Sequence, residues 1–539
     1  NSSAMGDSKE KVENNDDKND IYQFYATLSF IVVIIIIGVP MWWKTTEVYR
    51  VALPYEEINH LNETPIVSKL SVGIWTQSTD RTNQLIRELD ISFQNLTFLN
   101  INFFKIKANS KTDGTEIVKS IKTQPGDFLF VEIPSGAHDV IVTSERYATI
   151  SADTSGLKIH QVLSTWILQE YKIKSILGSL TTIDGKTIRH NIPPPNPHYD
   201  VIVSVVNSHP NKQKVNWNIR MAVENYIAPF LQSLNAISNF TLKTQWKYQI
   251  SIEEYHQELL QTSDGQQQFP LYEENLPQII TAFEKKLGNE ITNNPCIHLV
   301  VYVPRCAKSP VRIFNKQKQR VSANEIESFI SAKWGGILIL NPPKEECVAE
   351  KEKSIININS NDVMKVFLYH LRKIFEFENN VPIKGADITA LNQIEPRLWE
   401  IDSYLRTSAI HLIHSATSTL NSLIQLLGDI NYIVINDDVG EAINDAYANI
   451  NLAKQYLSEN NLYDGVVYAK KAYASAERAF FDPTLLALLY FPDEQKYAIY
   501  IPLFLPMMIP VILSILPVYK YFKKSRGQKN GDGDAIKTK

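Results

Sequence analysis

The sequence predicts an α/β domain, in which a mixed sheet is flanked by helices, followed by a C-terminal helical unit, with both enclosed by two transmembrane α-helices. Three observations lead to this fold class. An uncharged apolar stretch lies near each end of the 539-residue chain. Between these stretches, short runs rich in β-branched and aromatic residues alternate with longer amphipathic runs, as in layered α/β proteins. After residue 389 only helical periodicity remains.

The two apolar stretches, Ile21 to Trp43 and Tyr497 to Tyr519, contain no charged residue. Each is long enough to cross a bilayer, because about 20 apolar residues suffice at a rise of about 1.5 Å per residue. The chain is therefore predicted to divide into a disordered cytoplasmic tail (1–20), a first transmembrane helix (21–43), two α/β parts (44–192 and 193–388), a helical unit (389–495), a second transmembrane helix (496–519) and a basic cytoplasmic tail (520–539).

Basic residues that flank a transmembrane span favour the cytoplasmic side. They follow the second stretch at Lys520, Lys523, Lys524, Arg526 and Lys529. The C-terminus is therefore predicted to be cytoplasmic, and two crossings place the N-terminus on the same side. Trp42 and Trp43, followed by Lys44, have the amphipathic character of residues at a membrane interface.

The large segment between the spans should fold outside the cytosol. Three sequons agree with this prediction and make Asn62, Asn95 and Asn239 candidate glycosylation sites. The net charge is −4, and the segment has no dense basic stretch. These features exclude nucleic acid as a partner.

The chain contains 3 cysteines. Cys296 and Cys306 bracket an apolar strand and could be bridged if the chain turned back between them, which would leave Cys347 alone. An odd thiol is either buried or paired with another chain.

The β-branched and aromatic runs predict strands in both α/β parts, which the proline-rich connector from Pro193 to Pro197 separates. Strands are predicted at Leu70–Trp75, Ile101–Ile106, Asp127–Ile133, Val140–Thr143, Val201–Val206, His298–Val303 and Gly336–Leu340. Helices are predicted at Thr82–Leu89, Ser155–Tyr171, Ile219–Ala236, Leu276–Leu287 and Asn361–Phe377, and in the helical unit at Leu398–Leu427, Glu441–Ser458 and Leu462–Phe481.

No set of residues in the sequence forms a convincing catalytic constellation. The run from Ser135 to Asp139 holds three triad residue types, but neighbours on one turn cannot stack into the required relay. The run from Gly178 to Thr187 resembles a phosphate loop, but six residues separate its glycines where four are needed. We therefore predict no catalytic residue, no metal site and no cofactor.

A cysteine and histidine pair is the remaining candidate for nucleophilic chemistry. Cys306 or Cys347 could act as the nucleophile with His298 or His370 as the base. The sequence gives no geometry for such a pair, and a structural thiol or a disulfide is the simpler interpretation.

Prolines make the second apolar stretch distinctive. Pro502, Pro506 and Pro510 recur at every fourth residue and so lie on one face of a helix. Each removes a backbone donor and leaves a carbonyl in need of another partner within lipid. This face either kinks a simple anchor or docks against other membrane helices. Neither stretch contains an ionisable residue, so an ion path through this chain is not expected.

Three runs resemble a known family. They are the segment from Gly38 to Tyr55, which contains Met41-Trp-Trp-Lys44, the segment from Phe481 to Tyr497, and Trp334-Gly-Gly-Ile337. They resemble the opening, closing and a central sequence of the PIG-S family, which belongs to the glycosylphosphatidylinositol (GPI) transamidase of the endoplasmic reticulum.

The resemblance implies a two-pass protein of the endoplasmic reticulum membrane with a luminal main domain and both termini cytoplasmic. It implies a non-catalytic structural subunit that assembles with PIG-K, PIG-T, PIG-U and a further multispanning subunit, and that contacts membrane lipid. The nucleophile of such a complex belongs to PIG-K. The GPI glycolipid and the proprotein signal peptide are further partners that the resemblance implies for the complex.

A two-span receptor or channel with a large outer domain shares the predicted topology and is the alternative. Such outer domains usually carry many disulfides, and a channel usually places polar groups along its pore. The 3 cysteines and the apolar second stretch disfavour both. A luminal hydrolase lacks a nucleophile set in this sequence.

Overall fold

A computed structural model gives the structure of the chain. It describes residues 21–22, 24–38, 40–41, 44, 49–107, 114–133, 138–178, 196–255, 260–261, 267–287, 292–321, 326–331, 334–347, 353–377, 381–429 and 434–487, and single positions or short runs between 498 and 523. These residues fall into two compact units. The larger unit comprises Tyr55–Asn421 and Asn444–Glu477, and the smaller comprises Asn1–Pro54, Ser422–Ile443 and Arg478–Lys539.

The described strands and α-helices are numbered in chain order. The strands are β1 Ser68–Trp75, β2 Leu99–Lys105, β3 Asp127–Glu132, β4 Val140–Val142, β5 Tyr147–Ile150, β6 His198–Asn207, β7 Gln213–Asn216, β8 Asn239–Tyr248, β9 Leu260–Gln261, β10 Gln267–Tyr272, β11 Cys296–Val303, β12 Val311–Phe314, β13 Glu327–Ser331, β14 Gly335–Ile339, β15 Ser354–Asn357 and β16 Ala386–Ile388. The helices are α1 Tyr55–Asn59, α2 Thr79–Phe93, α3 Gly114–Ser120, α4 Gly156–Val162, α5 Glu170–Ile176, α6 Ile219–Ala222, α7 Ala228–Gln232, α8 Leu276–Glu284, α9 Ser360–Ile374, α10 Leu398–Asp429, α11 Asp437–Ser458, α12 Leu462–Phe480 and α13 Pro483–Ala487.

The first sheet has the strand order β16-β4-β5-β3-β1-β2. Neighbouring strands of this sheet are parallel, except that β4 and β5 are antiparallel to each other. The central strand β3 is buried from Phe128 to Glu132, as expected for a parallel strand covered on both faces. Each predicted strand of this region is confirmed. The structure adds β5 and β16, which were not predicted.

The second sheet has the strand order β13-β14-β11-β6-β8, with only β13 antiparallel to its neighbour. One face, which includes Val203 and Val301, packs in a core with Phe230 and with Phe367 of α9. The other face packs around Tyr302 in a second core. A mixed α/β architecture with helices on both faces is therefore confirmed.

One strand within the second predicted α/β part, β16, belongs to the first sheet. β16 pairs in parallel with β4, with Ala386 opposite Val140. The chain thus leaves the first sheet after β5, builds the second sheet, and returns to complete the first. Three residues of modest hydrophobicity gave no strand signal, because a strand so short shows no measurable alternation.

The predicted C-terminal helical region is confirmed as α10, α11 and α12. Asn460 adopts a positive φ of 68° in the turn between α11 and α12, which asparagine tolerates better than most residues. The two helices approach closely beside this turn. The rings of Tyr456 and Tyr468 stack with centroids 5.2 Å apart, and a Cβ at Gly465 would lie 2.9 Å from Leu457.

In the smaller unit, the segment after the first apolar stretch pairs with the chain before α11. Arg50 forms a β-bridge with Ile435, and its Nη2 donates to the carbonyl of Leu427 at 2.6 Å. The hydroxyl of Tyr49 donates to Asp437 at 2.7 Å. Part of the run that resembles the PIG-S family therefore has a structural role in this unit.

The transmembrane predictions fall on segments that the structure describes in part. Residues 24–33 are α-helical, Ile34–Gly38 form a π-helical turn, and the described positions from 501 to 520 are helical. Among the described residues, no helix is both long enough and apolar enough to cross a bilayer. Trp42, Trp43 and residues 1–20 lie outside the described residues, whereas Lys44 is helical and exposed.

The predicted bridge between Cys296 and Cys306 is wrong. The structure instead joins Cys306 to Cys347, with a Cα to Cα distance of 5.7 Å, and leaves Cys296 as a thiol. Cys296 begins β11, and Cys306 lies beyond its far end. An uninterrupted strand covers Cys296–Val303, and its two ends lie roughly 23 Å apart at about 3.3 Å per residue, which keeps the two cysteines apart.

Candidate functional site

Buried charges connect the second α/β part to the start of α10. The carboxylate of Glu400 accepts hydrogen bonds from Arg372 of α9 at 2.9 and 3.2 Å and from Arg397 at 2.6 Å. All three side chains are almost completely buried. Lys172 and Glu376, at 2.7 Å, form another buried ion pair, between α5 and the turn after α9. These pairs fix the two α/β parts and α10 in one arrangement.

A further buried ion pair connects α10 to the first sheet. Asp402 accepts hydrogen bonds from Nε and Nη2 of Arg146 at 2.6 and 2.9 Å, and from the backbone N–H of Gly126 at 3.2 Å. Burial opposes the charge of Arg146, but the Asp402 carboxylate outweighs it and raises the pKa of Arg146. One turn further on, burial lowers the pKa of Arg406 to about 10.

The carboxyl ends of β1 and β3 meet where the strand order of the first sheet reverses, the usual place for a ligand in an open α/β sheet. Here the hydroxyls of Thr76 and Thr82 lie 2.8 Å apart, and Arg81 donates to the carbonyls of Ser151 and Thr154 at 3.1 Å. The protein's own polar groups therefore occupy most of this crevice. Glu132 is buried beside Arg81, at 4.0 Å.

The corresponding crevice of the second sheet, between β6 and β11, is also closed by internal hydrogen bonds. The amide of Gln213 donates to Asn207 at 3.0 Å and to the carbonyl of Pro304 at 3.1 Å. Ser208 donates to the carbonyl of Val303 at 2.9 Å. This crevice therefore has a structural role.

A half-open cleft of about 530 Å³ lies beyond the carboxyl end of β14. Its lining includes Ser309, Arg312 and Ile326, and also Asp362 and Val363 at the start of α9. The Cys306–Cys347 disulfide lies in the lining. Its volume is within the range of ordinary ligand sites, so this cleft is the candidate binding site of the described chain.

Close contacts with two histidines account for the residue types in the Trp334-Gly-Gly-Ile337 run. Trp334 stacks on His298 with centroids 4.9 Å apart. A Cβ at Gly335, where φ is +138°, would lie 1.9 Å from the carbonyl oxygen of His298, and a Cβ at Gly336 would lie 2.1 Å from Nδ1 of His370. Burial lowers the pKa of both imidazoles to about 4. This run is therefore a packing motif.

The proposed cysteine and histidine pair does not form. Cys306 and Cys347 are joined in a disulfide, so neither has a free thiol. His298 lies near the start of β11 and Cys306 lies beyond its end. His370 packs over Gly336 on the opposite face of the sheet from His298. The histidines that the sequence singled out are buried structural residues.

The other sequence-predicted residues are placed as follows. Asn62, Asn95 and Asn239 are exposed, and their use as glycosylation sites stays a prediction. Pro502, Pro506 and Pro510 are helical and exposed.

Ser135 and most of the run from Gly178 to Thr187 lie outside the described residues. His138 and Asp139 are separated, because Asp139 pairs with Lys158 whereas His138 lies 4.0 Å from Asp387. Across the residues with assigned structure, no cluster of three or more His, Cys, Asp or Glu could hold a metal ion.

Comparison with known proteins decides the family. The profile described as "PIG-S: Phosphatidylinositol-glycan biosynthesis class S protein" matches residues 29–525. The chain belongs to the PIG-S family. The matched range includes the two large sheets, the cleft and the three long helices of the PIG-S fold described above.

Relatives in the PIG-S family align over nearly the whole chain. The protein named GPI-anchor transamidase component PIGS of Bos taurus is 31% identical over an alignment that covers 93% of this chain and 95% of that protein. The Homo sapiens protein of the same name is 30% identical, with the same coverage. The GPI transamidase component PIG-S homolog of Schizosaccharomyces pombe is 25% identical, over 93% of this chain and 85% of that protein.

Proposed function

We propose that this chain is a non-catalytic subunit of the GPI transamidase complex, which replaces the C-terminal signal of proproteins with a GPI anchor. The observation that carries the proposal is similarity over 93% of the chain to relatives named as components of that transamidase. The chemistry of the described residues agrees with it. The cysteines of the best sequence candidate for a nucleophile are joined in a disulfide, and the histidines are buried.

The chain would act in the endoplasmic reticulum membrane, crossing it at the two apolar stretches with its main domain in the lumen. Its contribution would be surfaces that hold other subunits, PIG-K, PIG-T, PIG-U and a further multispanning subunit among them. The buried ion pairs around Glu400 and Asp402 agree with such a role, because they join α10 to both α/β parts within the larger unit.

Replacement of the endogenous PIG-S gene by this chain tests the proposed function. Cells without PIG-S should lose surface GPI-anchored reporter and accumulate uncleaved precursor. Expression of this chain in a cell line from its own or a closely related species should restore both. Normal anchoring in cells that lack the chain would refute the proposal.

The proline face of the second stretch is proposed to pack on helices of partner subunits. Pro502, Pro506 and Pro510 are exposed in the chain by itself, as a docking face requires. Their joint replacement by leucine should reduce recovery of the other subunits with the purified chain. Leucine at Met508 and Ile512, which are also exposed, provides the control. Equal recovery from both variants would exclude this role.

A further inference from the structure

Each of the two large sheets has one edge that the fold itself protects. The first sheet ends on one side at β16, which has only three residues, and an edge strand so short offers little backbone to another strand. The second sheet ends on one side at β13, where the buried carboxylate of Glu327 accepts from the backbone N–H of Ile313 at 3.1 Å. This bond brings β12 next to that edge.

The opposite edges, β2 and β8, are longer and more exposed. Among the described strands, β2 pairs only with β1, and β8 pairs only with β6. None of the ten residues of β8 is buried. In β2, four of the residues after Leu99 are exposed, namely Asn100, Asn102, Phe104 and Lys105. These are therefore the two edges of the described sheets that a further strand could join.

The hydrogen bonds of β8 show which of its backbone groups point outward. The N–H of Asn239 donates to the carbonyl of Pro197 at 2.9 Å, and the N–H of Gln249 donates to the carbonyl of Asn207 at 3.0 Å. A parallel strand bonds to one neighbour through alternate residues. The even-numbered residues from 240 to 248 thus direct their N–H and C=O groups away from β6, where a further strand would bind them.

Lysine side chains often protect an edge strand, but those of β2 and of the first half of β8 are drawn into other contacts. Lys105 of β2 donates to the hydroxyl of Thr79 at 3.1 Å. Lys243 of β8 donates to Asp200 of β6 at 2.6 Å. The remaining lysine of these two strands, Lys247, lies near the C-terminal end of β8. The beginnings of both strands therefore need another form of protection.

A glycosylation sequon lies at the beginning of each open edge. Asn95-Leu-Thr97 lies in the turn directly before β2, and Asn239-Phe-Thr241 begins β8. The asparagine and the threonine of both sequons are exposed. The third sequon, at Asn62, precedes β1, which pairs on both sides. It therefore provides a comparison away from an open edge.

We propose that N-linked glycans on Asn95 and Asn239 cover the open edges of the two sheets and prevent copies of this chain from pairing there. Such a glycan is bulky and hydrated, so it blocks the approach of a further strand at the place where it is attached. Proteins commonly protect sheet edges by covering them. The inference deepens the proposed function and rests on it, because a main domain in the lumen is the one that receives these glycans.

Removal of each sequon by two routes tests the proposal in the full-length chain, expressed with two different epitope tags in cells that lack PIG-S. Asn239→Gln and Thr241→Ala abolish glycan addition at β8, and Asn95→Gln and Thr97→Ala abolish it at β2. Each should remove one glycan, seen as a gel shift that N-glycosidase treatment reproduces. Each should also raise the recovery of one tagged copy with the other several-fold. Asn62→Gln is the matched control and should leave this recovery unchanged.

A charge on the strand itself separates edge protection from other effects of glycan loss. Thr244 is exposed, and its backbone groups point away from β6. Thr244→Lys combined with Asn239→Gln should return self-association to near the wild-type level, because a lysine on an edge strand opposes pairing. Gln232→Lys, at an exposed position of α7, is the control and should not do so. Equal rescue by both lysines would contradict the proposal.

The remaining outcomes separate this inference from the proposed function. A wild-type chain without a glycan at Asn95 or Asn239 would overturn the inference for that edge. Loss of other subunits from the Thr244→Lys chain would show that β8 pairs with a partner, which would also overturn it. If the chain restores GPI anchoring but self-association ignores the glycans, the inference is wrong and the proposed function stands. If both glycans act as expected but anchoring is not restored, the proposed function fails.

The three sequons together report on the location of the main domain. If none of Asn62, Asn95 and Asn239 carries a glycan and anchoring is not restored, both the inference and the proposed function are wrong. If anchoring is restored without any glycan, only the inference is wrong.

Discussion

Gly336 lies directly against the imidazole of His370. Any other residue at this position would place its Cβ 2.1 Å from Nδ1 of that ring. Helix α9 and strand β14 can pack this closely only because residue 336 has no side chain. The pair therefore couples the sequence Trp334-Gly-Gly-Ile337 to a histidine far along the chain.

Gly336→Ala should destabilise the folded chain by roughly 2 to 3 kcal/mol, because the added methyl group forces His370 out of a filled core. Gly428→Ala is the matched control. It lies in α10 with nothing within 4 Å of its Cβ position, so alanine should be neutral or stabilising by up to about 1 kcal/mol. Thermal unfolding in detergent measures both variants. Equal melting temperatures would show that the packing can relax.

Stability should fall as the pH drops from about 6.5 toward 4. The folded pKa of His298 and of His370 is about 4, below the ordinary value of 6.5, so the unfolded chain takes up protons first. The stability is present above pH 6.5 and is lost as the pH falls through that window. Unfolding of wild type and His370→Leu at pH 7.5 and 5.0 checks this, since the variant should lose less between the two values. An identical loss of stability in both proteins would exclude His370 as a source of the pH dependence.

Asp402→Asn should destabilise the larger unit by roughly 3 to 5 kcal/mol, because it leaves the buried Arg146 guanidinium without its counter-charge. Asp387→Asn changes an exposed carboxylate on β16 of the first sheet and should stay within about 0.5 kcal/mol of wild type. Chemical denaturation gives both values. A double-mutant cycle with Arg146→Ala should show strong coupling at Asp402, and additive effects there would argue against the ion pair.

Joint replacement of Cys306 and Cys347 by serine should cost about 2 to 4 kcal/mol, since the bond closes a loop of 41 residues in the unfolded chain. Reducing agent should lower the stability of wild type by a similar amount and leave the double variant unchanged. Cys296→Ser controls for loss of a thiol. Insensitivity of wild type to reduction would contradict the bond.

Local patterns predicted much of the fold. Apolar runs such as those of β3, β6 and β11 are buried on both faces, so their composition alone indicates a strand. The edge strand β8 was missed because its exposure alternates imperfectly along Asn239–Tyr248. Such strands carry polar residues that weaken the signal.

The candidate site could not be predicted in the same way. The disulfide depends on where the turns after β11 and β14 meet, which spacing in the sequence does not give. The cleft combines residues near 310, 340 and 362, and each of these segments looks like an ordinary loop or helix start by itself. The buried contacts of Glu400 and Asp402 likewise depend on distant partners.

The pairing of β16 with β4 has a consequence for biosynthesis. Val140 is made 246 positions before its partner Ala386. Until that later segment emerges from the ribosome, the edge of the first sheet has unsatisfied backbone groups, and an exposed edge of this kind invites association with other chains. A chaperone that shields a nascent sheet edge should therefore bind truncated chains that stop before residue 386, and release those that extend past it.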